Sequence, residues 1–501
     1  MFIHPLGHTE FGVEIQNKQE ETIRILVDAW LSDYAFGDLM ERTPRIILDN
    51  EKLKTLDVVY LSHAHCDHFD PYTLIPLYKI GNPLLILPET LTYLVPVLNK
   101  YIPQAKIQIL RNREIFTYKG IDFQGICFDN EAITNEDDVM TLAVSNHEEL
   151  IYAEIDTVIP KTEEAYNLLQ RLFSRKSYTR VTYLSSRNEL GANLPVLDFA
   201  TEQEREKFKK QYRSSRKEEL EWEYEMLTSG ELPDFTEVPN FARGFIGQGI
   251  CYPSILDPEL SHIGAMSLIE ISELETSVAR NYGKDFPSRV LTPGKVFETT
   301  DGGLKPIQRE VFIGKIITEN IFNKPTGRGR IYSNGPLRDE SRDFDSQEVL
   351  LLSILNNRFL PSVFSNPDDN LKTAILKNPE RTYKIAVRFG TLDKYETRNY
   401  IFSFGEIGFR RDQEFLENKL VCQEDYWMND LEDFWNGSQE LYSNFFHLID
   451  PKRTYRLWNM LGANFFNHDI VKRKYEYHFE RASEGETVED FIGGIYDGLE
   501  E

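Results

Sequence analysis

The sequence predicts an α/β domain followed by a separate α+β module, and three observations carry that expectation. β-rich runs alternate with helix-like segments over the first 160 residues. A dense group of imidazoles and carboxylates stands at the end of one buried-looking apolar run. A Gly/Pro-bearing stretch at 324–339, KPTGRGRIYSNGPLRD, then separates this pattern from a different one. At roughly 150 residues per domain, 501 residues accommodate two or three domains. A hydrophobic fraction of 41% and an aromatic fraction of 12% allow a sizeable core and exclude a mainly disordered chain.

In chain order, FGVEI (11–15) and IRILVDAW (23–30) flank the polar turn QNKQEET and read as a hairpin. LDVVYLSHAH (56–65) is an apolar strand that ends in a polar cluster. PYTLIPLYKIG (71–81) reads as a helix, and PLLILP (83–88) and KIQIL (106–110) as further strands. GIDFQGICF (120–128) and MTLAVSNHEELIYAEID (140–156) follow, the second as a hairpin turning near Asn146–His147. The stretch 202–227 is a highly charged helix, whose Lys209, Lys210, Arg213, Arg216 and Lys217 read as a solvated face. The expected divisions are a first domain at 1–325, with the charged helix as an insertion, and a module at 340–501. That module is expected to have a helical opening, strands at 383–390 and 398–405, and a Trp/Tyr/Phe-rich helical end. There Trp427, Trp435, Tyr442, Phe445 and Phe446 suit a helical core, a substrate channel or an interface.

Composition narrows the function classes. With 56 Lys+Arg against 81 Asp+Glu, the net charge is −25, which argues against a nucleic-acid binder and against adsorption to anionic membranes. Arg328 and Arg330 are a linker charge cluster or a phosphate grip. No apolar run approaches the roughly 18–20 residues that span a bilayer, and the N-terminus lacks the pattern of a signal peptide. The cysteines Cys66, Cys127, Cys251 and Cys422 form no C-x-x-C. A Cys-rich zinc site, a disulfide framework and an internal iron–sulfur centre are thereby excluded. The expectation is a soluble cytoplasmic protein.

The sharpest signal is Leu61-Ser62-His63-Ala64-His65-Cys66-Asp67-His68. His63 and His65 alternate along an extended backbone, and Asp67 and His68 emerge on the turn beyond. Three imidazoles and a carboxylate in six residues suit the binding of two metal ions. Cys66 lies inside the motif, but its neighbours supply enough ligands.

This H-x-H-x-D-H pattern is similar to the signature of the metallo-β-lactamase superfamily. Gly7-His8-Thr9 resembles that family's G-H-A/S opening. Val27-Asp28-Ala29-Trp30 resembles its I-D-P-W element, and Ile151–Thr157 its strand ending in G-D-T/S. The resemblance implies an αββα sandwich with the site at one edge of both sheets. VDAWLSDYAFGDLMERTP followed by LSHAHCDHFDPYTLIPL looks most like the catalytic portion of CMP-N-acetylneuraminate hydroxylases. The Rieske domain of those proteins has no counterpart here.

The resemblance further implies a ligand set. His63, His65, a third residue and Asp156 would hold one metal. Asp67, His68, His262 and Asp156 would hold the other, with Asp156 bridging. Asp28 would support a metal-bound His, and His8 would lie close by. Zinc members carry a third His some twenty residues before the bridging Asp, whereas the stretch FDNEAITNEDDVM has none. Glu131 is the first choice there and Glu136 the second, as in the diiron oxygenases of the superfamily; a merely solvated acidic loop is the alternative. Added carboxylates and higher coordination favour iron or manganese over zinc. The expectation is therefore a diiron O2-dependent oxygenase or hydroxylase acting on a small molecule or nucleotide sugar, with Asp67 and Asp156 central to catalysis. A ferredoxin- or reductase-type protein would supply electrons. The competing expectation is a two-metal hydrolase. His147 is expected to be exposed and His4 structural.

Overall fold

The structure is a computed structural model that describes residues 1–35, 40–42, 44–128, 139–157, 159, 162–186, single positions between 203 and 221, 241–246, 250–251, 277, 288–317, 343–365, 376–377, 380–390, 394–403, 408–412, 420–436 and 468–485. The linker candidate at 324–339, Glu131, Glu136, His262, Tyr442, Phe445 and Phe446 lie outside them.

Two large sheets build the first domain. One contains β1 (Phe2–Gly7), β2 (Glu10–Gln16) and β3 (Thr22–Val27); then, beyond the short β4 (Tyr34–Ala35), β5 (Met40–Arg42) and β6 (Arg45–Leu48), it takes in β7 (Val58–Tyr60), β8 (Leu84–Pro88) and β9 (Lys106–Leu110). The other contains β10 (Ile115–Tyr118), β11 (Ile121–Ile126), β12 (Thr141–Ser145), β13 (Glu149–Ala153), β14 (Arg180–Ser186), β15 (Phe241–Ile246) and, past the short β16 (Ile250–Cys251), β17 (Ser288–Val290). β18 (Val296–Thr300) and β19 (Gly303–Ile307) return to the first sheet, whose order is β19-β18-β1-β2-β3-β7-β8-β9; the second runs β10-β11-β12-β13-β14-β15-β17.

Each sheet is antiparallel at one side and parallel at the other. β3, β7, β8 and β9 pair in parallel, as do β13, β14, β15 and β17. The parallel strands explain the continuous apolar runs in the sequence, because such strands are buried on both faces. VVY in β7 and ELIYA in β13 are buried throughout.

The sheets face each other across one apolar layer that includes Val13, Ile25, Val27 and Val58 from the first and Phe123, Leu142, Val144 and Ile151 from the second. Helices cover the outer faces. α1 (Asn50–Leu53), α2 (Pro71–Ile80) and α3 (Val95–Tyr101) lie on the first sheet's side. α4 (Glu163–Ser174) lies on the second, burying Ala165, Leu169, Leu172 and Phe173 against Tyr152 and Tyr183. Thr162 caps α4 by accepting from Ala165 N. The architecture is thus the expected αββα sandwich.

A second core follows. A four-stranded sheet, β20 (Thr382–Gly390), β21 (Tyr395–Ser403), β22 (Arg410–Arg411) and β23 (Leu420–Trp427), packs with the helix Phe344–Ile354 and the helix Met428–Asn436 around Tyr383, Phe402, Phe409 and Trp435. The last described helix, His468–Glu484, buries Val471, Tyr475, Phe479 and Ala482 in the first domain's outer core, alongside α2 and α3. No described helix is long and apolar enough to cross a membrane. In the charged segment 202–227 the described positions are helical, and all but Glu221 are exposed. Lys217 there pairs with Glu221 at 3.5 Å, as a solvated face would.

Candidate metal centre

The site forms where the parallel strands of both sheets end. β7 delivers Leu61-Ser62-His63, after which a tight turn closes as the backbone nitrogens of His68 and Phe69 donate to the His65 carbonyl at 3.1 and 2.8 Å. α2 then starts at once. Its cap, Asp70, accepts from Tyr72 N at 2.9 Å and Thr73 Oγ1 at 2.6 Å, and Pro71 opens the helix. The motif is therefore pinned between a buried strand and a capped helix.

The ends of three other strands converge on it. β1 passes through a register shift between Pro5 and Gly7, and places His8 in the turn before β2. β3 ends at Asp28, and Asp156 follows β13. Three non-glycine residues here hold left-handed backbone: His8 (φ 46°), Asp28 (φ 56°) and Ile155, just before Asp156 (φ 58°). Such conformations persist only where the surroundings enforce them, and they gather at functional sites.

Two groups of donor atoms result. His8, Asp67, His68 and Asp156 each contribute an atom within 4.8 Å of the others, and so do His63, His65 and Asp156. Asp156 belongs to both. Its Oδ2 lies 2.8 Å from His68 Nε2 and 3.9 Å from His63 Nε2. His8 Nε2 is 2.9 Å from Asp67 Oδ2 and 3.3 Å from His68 Nε2. His63 Nε2 and His65 Nδ1 are 2.8 Å apart. Two ligands about 2.1 Å from one ion at a tetrahedral angle sit roughly 3.4 Å from each other, so these spacings suit donors converging on shared ions. Asp67 Oδ1 and His8 Nδ1 are buried with no hydrogen-bond partner among the described residues. A cluster of acids and imidazoles with lone pairs to spare fits a divalent metal.

The residues behind the donors fix their orientation. Asp28, fully buried, accepts from His68 Nδ1 at 2.8 Å, from Ser62 N at 2.8 Å and from Ser62 Oγ at 3.0 Å. Ser62 Oγ also lies 2.9 Å from His63 Nδ1. One carboxylate thus braces an imidazole in each group, leaving Nε2 of both facing the donors. Beneath lies Arg42, 1% exposed, which donates to Glu10 at 3.2 Å, to the Leu6 carbonyl at 3.1 Å and to the Trp30 carbonyl. It ties the loop entering His8 to the loop leaving Asp28. Burial raises the Glu10 carboxyl to about 7 despite Arg42.

The electrostatics match the geometry. Burial disfavours charge on His68, but Asp156, Asp67 and Asp28 outweigh it and push its pKa well up. Burial, reinforced by His68, His65 and His8, holds His63 well below its ordinary value. Burial also opposes ionisation of Asp67 and Asp156; nearby His68 prevails, and both carboxyls stay below the usual range. Without metal, an imidazolium at His68 offsets part of the negative charge of Asp156, Asp67 and Asp28. A metal ion would replace that proton.

Of the residues expected from the sequence, the structure brings together His63, His65, Asp67, His68 and Asp156, with Asp28 and His8 alongside. Glu131 and His262 fall outside the described residues. The sequence places His8 only near the ligands, yet it is a member of the second donor group. Nothing in the residue type of Ser62 marks its role. His147 is exposed beside Glu148, and His4 is buried against Glu14 at 3.2 Å. His478 lies 3.2 Å from the Tyr72 hydroxyl.

No protein-family model and no curated protein sequence matches the chain. Among solved structures, it is similar to CmlA, a diiron β-hydroxylase from Streptomyces venezuelae, at 11% identity over 58% of this chain and 52% of that one, with a TM-score of 0.34. It is also similar to the metallo-β-lactamase fold protein YhfI from Bacillus subtilis, at 10% identity over 59% and 99%, TM-score 0.31. A diphosphatase of the PhnP family matches at 13% over 35% and 61%, TM-score 0.21. The chain spans about half the length of the hydroxylase it matches. Such identities concern fold, which the two facing sheets and their helices already define.

Proposed function

From the premise that the chain has the metallo-β-lactamase fold, we propose that it is a dinuclear metalloenzyme, and specifically an O2-dependent diiron oxygenase or hydroxylase of a small or nucleotide-sugar-like molecule. The observation that carries the dinuclear reading is Asp156, which belongs to both donor groups. His63, His65 and Asp156 would hold one ion, and His8, Asp67, His68 and Asp156 the other. Iron bound there would supply reductive activation of O2 for attack on a C–H bond or an amine. The chain's own contribution is orientation: Asp28 and Ser62 present the His68 and His63 Nε2 atoms, and the sheet edge shields them from water.

Support for iron comes from the sequence at 129–138, which is rich in carboxylates and has no His. Its C-terminal flank is anchored at the site: Met140 N donates to the Ser62 carbonyl at 3.2 Å, and the Tyr60 hydroxyl donates to the Met140 carbonyl at 2.7 Å. Glu131 or Glu136 would complete the first group, and His262 would add to the second. Electrons would come from a separate ferredoxin- or reductase-type donor, since no Cys-ligated centre is encoded in the chain.

One observation favours a second reading, a zinc or manganese hydrolase: His8 raises the donor set to four imidazoles, and imidazole-rich sites suit zinc. Metal analysis by mass spectrometry, on protein purified without added metal, separates the two. About two irons per chain, with a near-ultraviolet charge-transfer band and O2 uptake under reductant, supports the oxygenase. About two zincs, with no O2 reactivity after iron loading, overturns it in favour of the hydrolase.

A further inference from the structure

We propose that Lys474 and Tyr475, on the helix His468–Glu484, are positioning residues of the metal centre; the inference rests on the site being a metal centre. Both side chains converge on one atom. The Tyr475 hydroxyl donates to the Ala64 carbonyl at 2.9 Å, and Lys474 Nζ donates to the same oxygen at 3.3 Å. Ala64 is the residue between His63 and His65. Its carbonyl belongs to the peptide that joins Ala64 to His65. Rotating that peptide plane would swing the His65 imidazole relative to His63, so the two donors hold the spacing of the first ligand group.

The second anchor is packing. The Tyr475 ring stacks on Phe69, the residue after His68, with centroids 4.4 Å apart and planes at 25°; Phe479 meets the same ring edge-on at 6.0 Å. The helix therefore grips the motif at Ala64 in its middle and at Phe69 just beyond its end. Tyr475 is fully buried and Lys474 is 3% exposed. An ammonium taken out of water at this depth is costly unless something compensates it. An apolar residue would serve mere packing better. A cation aimed at the backbone of a ligand-bearing turn is what a positioning role requires.

The test uses the full chain and Co(II) as the probe. Affinity is read by chelator competition, ligand geometry by the visible Co(II) spectrum, and folding by the melting temperature of metal-free protein. Tyr475→Phe keeps the stacking on Phe69 and removes only the hydroxyl. Lys474→Met removes the charge, Lys474→Arg restores it, and Phe479→Leu loosens the helix without touching Ala64. Tyr475→Phe and Lys474→Met should each bind Co(II) about tenfold more weakly, in the range usual for partners behind a ligand, with shifted Co(II) bands. Lys474→Arg should recover most of the affinity. Phe479→Leu should melt earlier yet bind normally. Unchanged affinity and spectrum in both Tyr475→Phe and Lys474→Met overturn the proposal, as does an equal loss of affinity in Phe479→Leu. A wild-type chain that binds no Co(II) instead overturns the metal-centre reading itself.

Discussion

Replacing Asp28 by Asn isolates the support that one carboxylate gives to two imidazoles. The substitution keeps size and shape, so the buried pocket stays filled. The Asn oxygen still accepts from Ser62 N, now 2.8 Å from Asp28. Its NH2 group, however, faces His68 Nδ1, which donates to Asp28 at 2.8 Å in the native chain. Two donors cannot share that contact, so His68 must move its proton to Nε2, the atom 2.8 Å from Asp156. The lone pair needed for a metal is then lost unless the chain forgoes a charge-assisted hydrogen bond, which is worth about 1.5–3 kcal/mol. At 1.4 kcal/mol per factor of ten, metal affinity should fall by roughly 10- to 150-fold. Chelator competition with Co(II) or Zn(II) reads the change, and the melting of metal-free protein serves as control. Asp28→Ala should additionally destabilise the metal-free chain by about 1–3 kcal/mol, because Ser62 N loses its buried acceptor. An Asp28→Asn chain that binds metal within about threefold of wild type would show that His68 takes its orientation from elsewhere, for example from Thr9 Oγ1 at 3.4 Å.

Other predictions concern separate parts of the molecule. His8→Ala should lower metal stoichiometry or affinity at the group containing Asp67, whereas His147→Ala, on an exposed turn, should leave both unchanged; metal analysis of the two purified variants decides it. A Cβ on Gly12 would sit 2.4 Å from the Phe312 ring, so Gly12→Ala should destabilise by about 1–3 kcal/mol through overpacking. Adding Phe312→Leu should recover part of that loss in denaturant melts. Burial, aided by Lys474 and Arg481, pulls His478 down to about 3 from 6.5. Its folded-state pKa is depressed, so the unfolded chain binds the proton first. The stability it contributes is therefore complete above about 6.5 and is lost as pH falls towards 3, at up to about 1.4 kcal/mol per pH unit. The stability difference between wild type and His478→Gln should depend on pH in that window and be flat from pH 7 to 8.

Sequence-local chemistry made much of the site readable. His63, His65, Asp67 and His68 lie within six residues, and the residue types alone announce metal ligation. Asp28 and Asp156 could be named because each ends an apolar strand in a short recognisable phrase. The αββα layering followed from the resemblance, and the uninterrupted apolar runs agree with the parallel side of each sheet. What escaped was set by distance along the chain. His8 reaches His68 across 60 positions through a register shift and a left-handed turn, neither of which leaves a mark in composition. Ser62 acts only because Asp28 and His63 both come within hydrogen-bond reach of its hydroxyl. The helix His468–Glu484 had no local pattern tying it to α2, since aromatic spacing suits a core without saying which one.

The bond from Tyr475 to Ala64 spans 411 positions, and this sets an order of events during synthesis. At about 5–20 residues per second, some 20–80 s separate the emergence of the histidine turn from that of the helix that steadies it. In that interval the nascent chain holds imidazoles and carboxylates at a sheet edge whose outer apolar surface, including Phe69, still waits for Tyr475 and Phe479. The nascent intermediate is thus exposed both to premature capture of whichever metal is abundant and to association through its uncovered face. Chains truncated just before residue 468 and just after residue 484 should differ in metal retention and in chaperone binding far more than their lengths differ.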